Sequence, residues 1–241
     1  MSKAIEPAKQ SLTEYEMAIS PSELQAVIQD NVGDQGISVR HLERITNPSG
    51  KSTKWEIPTI DGDVETTGEI EGVIVFHKLS RARWEGEYKG GGESPLCSSK
   101  DGFFGEGNPG GKCKDCPYAK FGENGEKPEC RLVKQVFIRR PNELLPMVLN
   151  VTAVNLHEAE RYLFRLLNKG KKYNSVVTKV HLTQDKSKSG FDYAKTNFAA
   201  TAILSDAQAA EMAEYTKLIK PMLLEVELTD ADVSTAEEPD W

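Results

Sequence analysis

The chain has 241 residues, of which 38% are hydrophobic and 28% charged. That is enough to bury one sizeable core, and no segment is apolar for long enough to suggest a transmembrane helix. Its 30 basic and 37 acidic residues give a formal net charge of −7, and the imbalance is local. Residues 225–241 (EVELTDADVSTAEEPDW) hold seven acids and no Lys or Arg, which leaves 30 acids against 30 bases in residues 1–224.

In chain order, residues 1–35 are expected to form an amino-terminal arm and a helix. Ser20-Pro21-Ser22-Glu23 reads as the helix start, with Ser20 as cap, Pro21 in the first turn and Glu23 closing a capping box. The helix should run to about Asn31, before Gly33. The core is expected over residues 36–221. Strands over 37–46 and 53–60 flank a turn at 47–50, and a long strand at about 69–85 passes from apolar (Val73, Val75) to basic (Lys78). A cysteine-rich segment over 93–131 then interrupts the sheet. Strands over 131–139 and 146–152 resume it around Pro141-Asn142.

Asn155 and Glu158 are spaced as a capping box for a helix through Leu167, with Leu156, Ala159, Leu163, Leu166 and Leu167 as its apolar stripe and Gly170 as its end. Strands over 174–183 and 191–203 flank a polar hairpin at 185–190. Ser205 and Gln208 box a last helix, expected to stop at Lys220-Pro221, ahead of an acidic flexible tail over 222–241. Many strands with short turns, and one helix between consecutive strands, predict a mainly β (α+β) fold. The expected architecture is an OB-fold-like antiparallel barrel of about five strands with an inserted loop subdomain and a few helices.

That insertion holds all four cysteines. Cys97, Cys113, Cys116 and Cys130 form a C-x15-C-x2-C-x13-C pattern within 34 residues. A C-x2-C pair brings two thiolates to one ion, and two more from flanking segments complete a tetrahedron, as in a closed structural zinc site. The runs DGFFGEGNPGG and PYAKFGENGEKP between them are too poor in aliphatic residues to pack alone, and the glycine-rich stretches read as flexible connections. Metal binding, worth about 10 kcal/mol or more, could hold them. Two disulfides are the alternative, and unliganded thiols a third reading. Residues 1–11 (MSKAIEPAKQS) lack an apolar h-region, so a cytoplasmic chain with reduced thiols is expected. His77 is the one candidate substitute ligand.

Signatures of catalysis are missing. There is no phosphate-binding G-x-x-x-x-G-K-[ST], no H-E-x-x-H and no G-x-S-x-G, and the His-x-Glu of zinc deaminases is absent because His157 and Glu158 are adjacent. His41, His77, His157 and His181 are scattered, and a non-enzymatic protein is expected. Aromatic and basic residues interleave instead. Residues 76–89 place Phe76, Trp84 and Tyr88 among Lys78, Arg81, Arg83 and Lys89. Arg161, Arg165, Lys169, Lys171, Lys172 and Lys179 follow with no acid among residues 161–179, beside Tyr162, Phe164 and Tyr173. Lys186, Lys188, Phe191, Tyr193 and Lys195 close the series. Cations that track phosphates and rings that stack on unpaired bases are what single-stranded nucleic acid requires. Tyr162 and Phe164 read as core residues of the helix; Trp84, Tyr88 and Tyr173 read as base contacts. At the other end of the chain, Asp240 and Trp241 put an aromatic anchor on an acidic terminus. Such an end suits a basic pocket on a partner, or folds back on the protein's own cationic groove.

Together these features resemble the single-stranded DNA-binding proteins of large tailed bacteriophages. The middle of the chain is similar to uncharacterised phage zinc-loop proteins, through Pro95, Cys97, Gly110, Gly111, Cys113, Cys116, Pro117, Ala119, Phe121, Gly122 and Cys130. The resemblance implies an OB-fold with an embedded structural Zn2+ subdomain and sequence-nonspecific binding of single-stranded DNA in replication, recombination and repair. It also implies an acidic tail that recruits replication and recombination proteins, and self-association on DNA. Members with defined zinc sites often use one His with three Cys, whereas four Cys are present here. A zinc-ribbon adaptor or DNA mimic that binds a polymerase or nuclease is the alternative.

Overall fold

The computed structural model describes Tyr15 and residues 21–33, 41–48, 52–86, 94–123, 126–186, 190, 192–229 and 232. The centre is a long strand, β4 (Glu69–Arg83), whose alternating apolar residues face two cores. It is preceded by helix α1 (Pro21–Val32), the short strand β1 (Arg44–Ile45) and a hairpin of β2 (Trp55–Pro58) and β3 (Val64–Thr67). After β4 come three short strands of the insertion, β5 (Cys97–Ser99), β6 (Phe104–Gly107) and β7 (Gly111–Lys112). Strands β8 (Arg131–Arg139) and β9 (Met147–Thr152) then lead into helix α2 (Ala153–Asn168), the hairpin β10 (Val176–Lys186) and β11 (Asp192–Ile203), and helix α3 (Asp206–Leu224).

Three partners share β4. Its first residues pair with β10 (Glu69↔His181 to Gly72↔Thr178), its middle with β8 (Val73↔Arg139 to Ala82↔Arg131) and its end with β5, all antiparallel. A register shift between Ile74 and Phe76 marks where the strand adjusts to these neighbours. Strand β9 continues the meander beyond β8, and β1 lies parallel to β9 at its far edge. The order is therefore β1-β9-β8-β4-β5-β6-β7, with β10 and β11 branching from β4.

Helices cover both faces. Ala159, Tyr162 and Leu166 of α2 pack with Ile70, Ile74, Val136, Ile138 and Leu149, joined by Trp55 and Ile57 of the hairpin. Met212, Tyr215, Ile219 and Leu223 of α3, with Leu24 of α1, pack with Val73, Val75, Phe137 and Val148. Each such side chain contributes about 1.5–3 kcal/mol when fully buried. Among the described residues no helix is long and apolar enough to cross a membrane.

The fold is mixed α and β, mostly strand, with one large sheet and three helices among the described residues. No closed barrel is found there. The edge of β9 that closure would need is taken by β1, and β11 pairs with β10. Several boundaries also differ from expectation. The glycine-rich stretch 105–111, expected as a flexible connection, is ordered by β6 and β7, which pair with each other while β6 also pairs with β5. Helix α2 starts at Ala153, because Asn155 uses its amide elsewhere: Nδ2 donates to Ala194 O (3.0 Å) and Oδ1 accepts from Thr196 N (3.0 Å), tying α2 to β11. Helix α3 has the expected Ser205–Gln208 capping box but continues through Pro221 to Leu224, since Leu223 (fully buried) and the following Val226 belong to the core. The expected tail therefore begins later than residue 222.

Candidate nucleic-acid interface

The second half of β4 carries Lys78, Arg81 and Arg83 of the residues singled out from sequence, and strand alternation divides them between two faces. Lys78, Ser80 and Ala82 point to one face; His77, Leu79, Arg81 and Arg83 point to the other.

The first face is closed by the chain's own carboxy-terminal segment. Buried Lys78 donates its Nζ to Leu224 O (2.7 Å) and Val226 O (2.6 Å), so it caps the end of α3. Burial pulls its pKa down to about 8, opposed by Glu225 and Glu227. Lys100 pairs with Glu225 (2.7 Å) and Glu227 (3.4 Å). Asp232, itself buried, bonds Arg44, Asn150 Nδ2 (2.7 Å) and Thr229 N (2.7 Å). Ser80 and Gln135 extend this network beneath it. Leu228 fills a small cluster with Ala82 and Val133, against which Trp84 packs. Lys78 and Trp84, expected to contact nucleic acid, thus hold the carboxy-terminal segment, and residues 225–229 and 232 of the expected free tail lie against the sheet. Asp240 and Trp241, like Tyr88, lie outside the described residues.

The second face is half-buried and flanked by two projecting turns. His77 meets the Tyr173 ring edge-on, with centroids 4.9 Å apart. Burial, then the nearby Lys134, lowers the His77 pKa to about 4. Leu79, two residues along, supports Gly102 of the insertion, and its cross-strand partner is Lys134. Arg81 interacts with the Cys130 thiol. Arg83 lies over the Tyr118 ring at 3.7 Å and bonds Glu129 (2.9 Å), so both arginines brace the insertion.

Beside Tyr173 lies the basic turn. Helix α2 ends in a Schellman motif, with Gly170 N donating to Leu167 O (2.9 Å) and Lys171 N to Leu166 O (3.0 Å). Lys169, Lys171 and Lys172 are exposed on this turn, and no carboxylate among the described residues pairs with them. Cations at a helix carboxy terminus also offset its dipole. The next turn is fixed from behind, because Asn174 Nδ2 donates to Thr216 Oγ1 of α3 (3.3 Å). Other expected contacts are engaged. Lys179 pairs with Glu69 (2.7 Å), and Lys195 with Asp185 (3.1 Å) and Glu158 (3.6 Å). Tyr162 is buried, with its hydroxyl 2.7 Å from Thr178 Oγ1, whereas Phe164, expected in the core, is 68% exposed.

All four cysteines are free thiols. Among the described residues no group of three or more His, Cys, Asp or Glu side chains is placed as a metal shell. The thiols nevertheless face one region. A Cβ at Gly105 would stand 2.9 Å from Cys97 Sγ and 3.8 Å from Cys113 Sγ, so only glycine fits between them. The C-x2-C turn is closed by Cys116 N donating to Cys113 O (3.3 Å). Burial raises the Cys130 thiol, with Arg81 opposing and Cys113 and Cys116 adding to the rise. Two soft donors beside a space kept clear by glycine, with the other two thiols on the same insertion, are the donor chemistry that a closed thiolate site requires. His77, the candidate substitute ligand, packs against Tyr173.

Two rings escaped the sequence reading: Phe103 (71% exposed) and Phe104 (59% exposed). Their signal was legible, as two adjacent aromatic residues in a glycine-rich run that cannot bury them. No protein-family model, curated protein or solved structure matches the chain.

Proposed function

We propose that this is a sequence-nonspecific, non-enzymatic single-stranded DNA-binding protein of the phage type, acting in DNA replication, recombination and repair. The observation that carries the reading is the unpaired cationic turn Lys169–Lys171–Lys172 beside the Tyr173–His77 pair on the half-buried face of β4. Lysines neutralise phosphates there while Tyr173 offers a ring to an unpaired base, at about 1–3 kcal/mol per stacked base. Strand connectivity supports it. A three-strand meander (β4, β8, β9), a helix (α2) and a two-strand hairpin (β10, β11), with the first strand paired to both halves, agrees with the strand order expected of an OB-fold, without the closed barrel.

A structural Zn2+ held by Cys97, Cys113, Cys116 and Cys130 would rigidify the insertion, and Asp240 and Trp241 would recruit partner proteins. The DNA-mimic alternative has less support. Glu225 and Glu227, although exposed, pair with Lys100, and buried Asp232 pairs with Arg44 of the same chain.

Fluorescence anisotropy of a labelled oligo-dT, compared with a duplex of equal length, tests the function. Binding to the single strand alone is expected. No binding to either would overturn it and favour an adaptor that binds protein.

A further inference from the structure

We propose that the cysteine-rich insertion supplies a second base-stacking platform, Phe103 and Phe104, so that a single strand runs across β4 from Tyr173 to the insertion. The inference rests on the function proposed above. A single exposed ring is ordinary, but Phe103 and Phe104 are adjacent, 71% and 59% exposed, and form a contiguous apolar patch of the kind that meets a partner. They are held firmly. Asp101 Oδ1 accepts hydrogen bonds from Phe103 N (2.7 Å), Phe104 N (3.0 Å) and Ser99 Oγ (3.0 Å). Gly102, at φ +78°, rests on β4: an added Cβ would stand 2.8 Å from Leu79 Cβ. Both features fix the turn before any ligand arrives, which lowers the ordering cost of binding.

Position gives the second argument. The residue supporting this turn, Leu79, and the residue touching Tyr173, His77, are alternate positions on one face of β4, about 7 Å apart along the strand. The two aromatic turns therefore flank one face, on which Lys134, opposite Leu79, is buried and leaves the contacts to the exposed residues at either end. Charge gives the third. Phe104 lies directly opposite the exposed Lys112 in the β6–β7 pair, so a ring and a cation share one outward side of the hairpin. Lysines at both ends and rings at both ends suit a flexible polyanion with unpaired bases.

The test is the affinity of full-length protein for an oligo-dT carrying one 2-aminopurine, whose fluorescence reports stacking. Wild type is compared with the double variant Phe103→Ala/Phe104→Ala and with Phe103→Tyr/Phe104→Tyr. The alanine variant should bind roughly 10-fold or more weakly and lose stacking at one end of the oligonucleotide, and the tyrosine variant should restore both. Equal binding by wild type and the alanine variant would overturn the inference and leave the proposed function standing. Failure of the tyrosine variant to rescue would also overturn it, since the loss would then not be one of stacking. Failure of wild type to bind would remove both.

Discussion

Asp232 shows how much a single acidic residue can do when it is buried. Its carboxylate receives Arg44, Asn150 and Thr229, and its side chain is only 4% exposed. Asp232→Ala would leave Arg44 and Asn150 without that partner, a loss of about 3 kcal/mol, read as a lower urea midpoint. His77 makes a pH prediction. Its pKa is about 4 in the folded protein against 6.5 ordinarily, so between these values the unfolded chain binds more protons. Its contribution to stability is complete above pH 6.5 and declines as pH falls toward 4. Chemical denaturation at pH 7 and pH 5 should show wild type losing more stability than His77→Gln; equal losses would contradict the burial argument. These roles were not legible from sequence. Charge patterning marked Lys78 as a nucleic-acid contact and placed Asp232 in a flexible acidic tail, and only tertiary pairing buries the two.

At the scale of elements, strongly periodic segments were legible, including β4, β8, β9, α2 and the capping box of α3. Boundaries failed where a side chain found a distant partner. Asn155 carried the capping pattern but serves as a tie to β11, 41 residues away at Thr196. Leu167 belonged to the expected apolar stripe yet is 68% exposed, while Tyr162 packs in its place. The insertion was legible as a unit through its cysteines, but not its order, because short β5, β6 and β7 lack any hydrophobic alternation. If Zn2+ holds it, the purified protein carries one equivalent by mass spectrometry. Cys113→Ser should then lose the metal and expose the insertion to protease, with β4 and β8 left folded. A metal-free wild type with equal protease resistance would sink the zinc assignment.

For the whole molecule, the described part of the acidic end has a structural role, whereas the recruitment proposed for Asp240 and Trp241 belongs to residues beyond it. Residues 225–229 and Asp232 are structural, so deleting residues 229–241 should lower the melting temperature before any effect on ligand binding can be read. Deleting residues 233–241 spares that network and should leave stability unchanged while abolishing partner recruitment; comparing the two melting curves distinguishes the parts. The net charge of −7 likewise misleads if spread evenly. Electrostatic attraction for a polyanion depends on which cations lack a carboxylate, and the turn after α2 holds three of them together.

The most direct test of that claim is the salt dependence of oligo-dT affinity, measured for wild type and for Lys169→Gln/Lys171→Gln/Lys172→Gln. Each phosphate contact contributes roughly 0.7 to the slope of log affinity against log salt for a single strand. Removing three such contacts should therefore shrink the slope by about 2 and weaken binding most at low salt. Identical slopes for the two proteins would show that the turn does not meet the phosphate backbone, and the proposed interface would have to be abandoned.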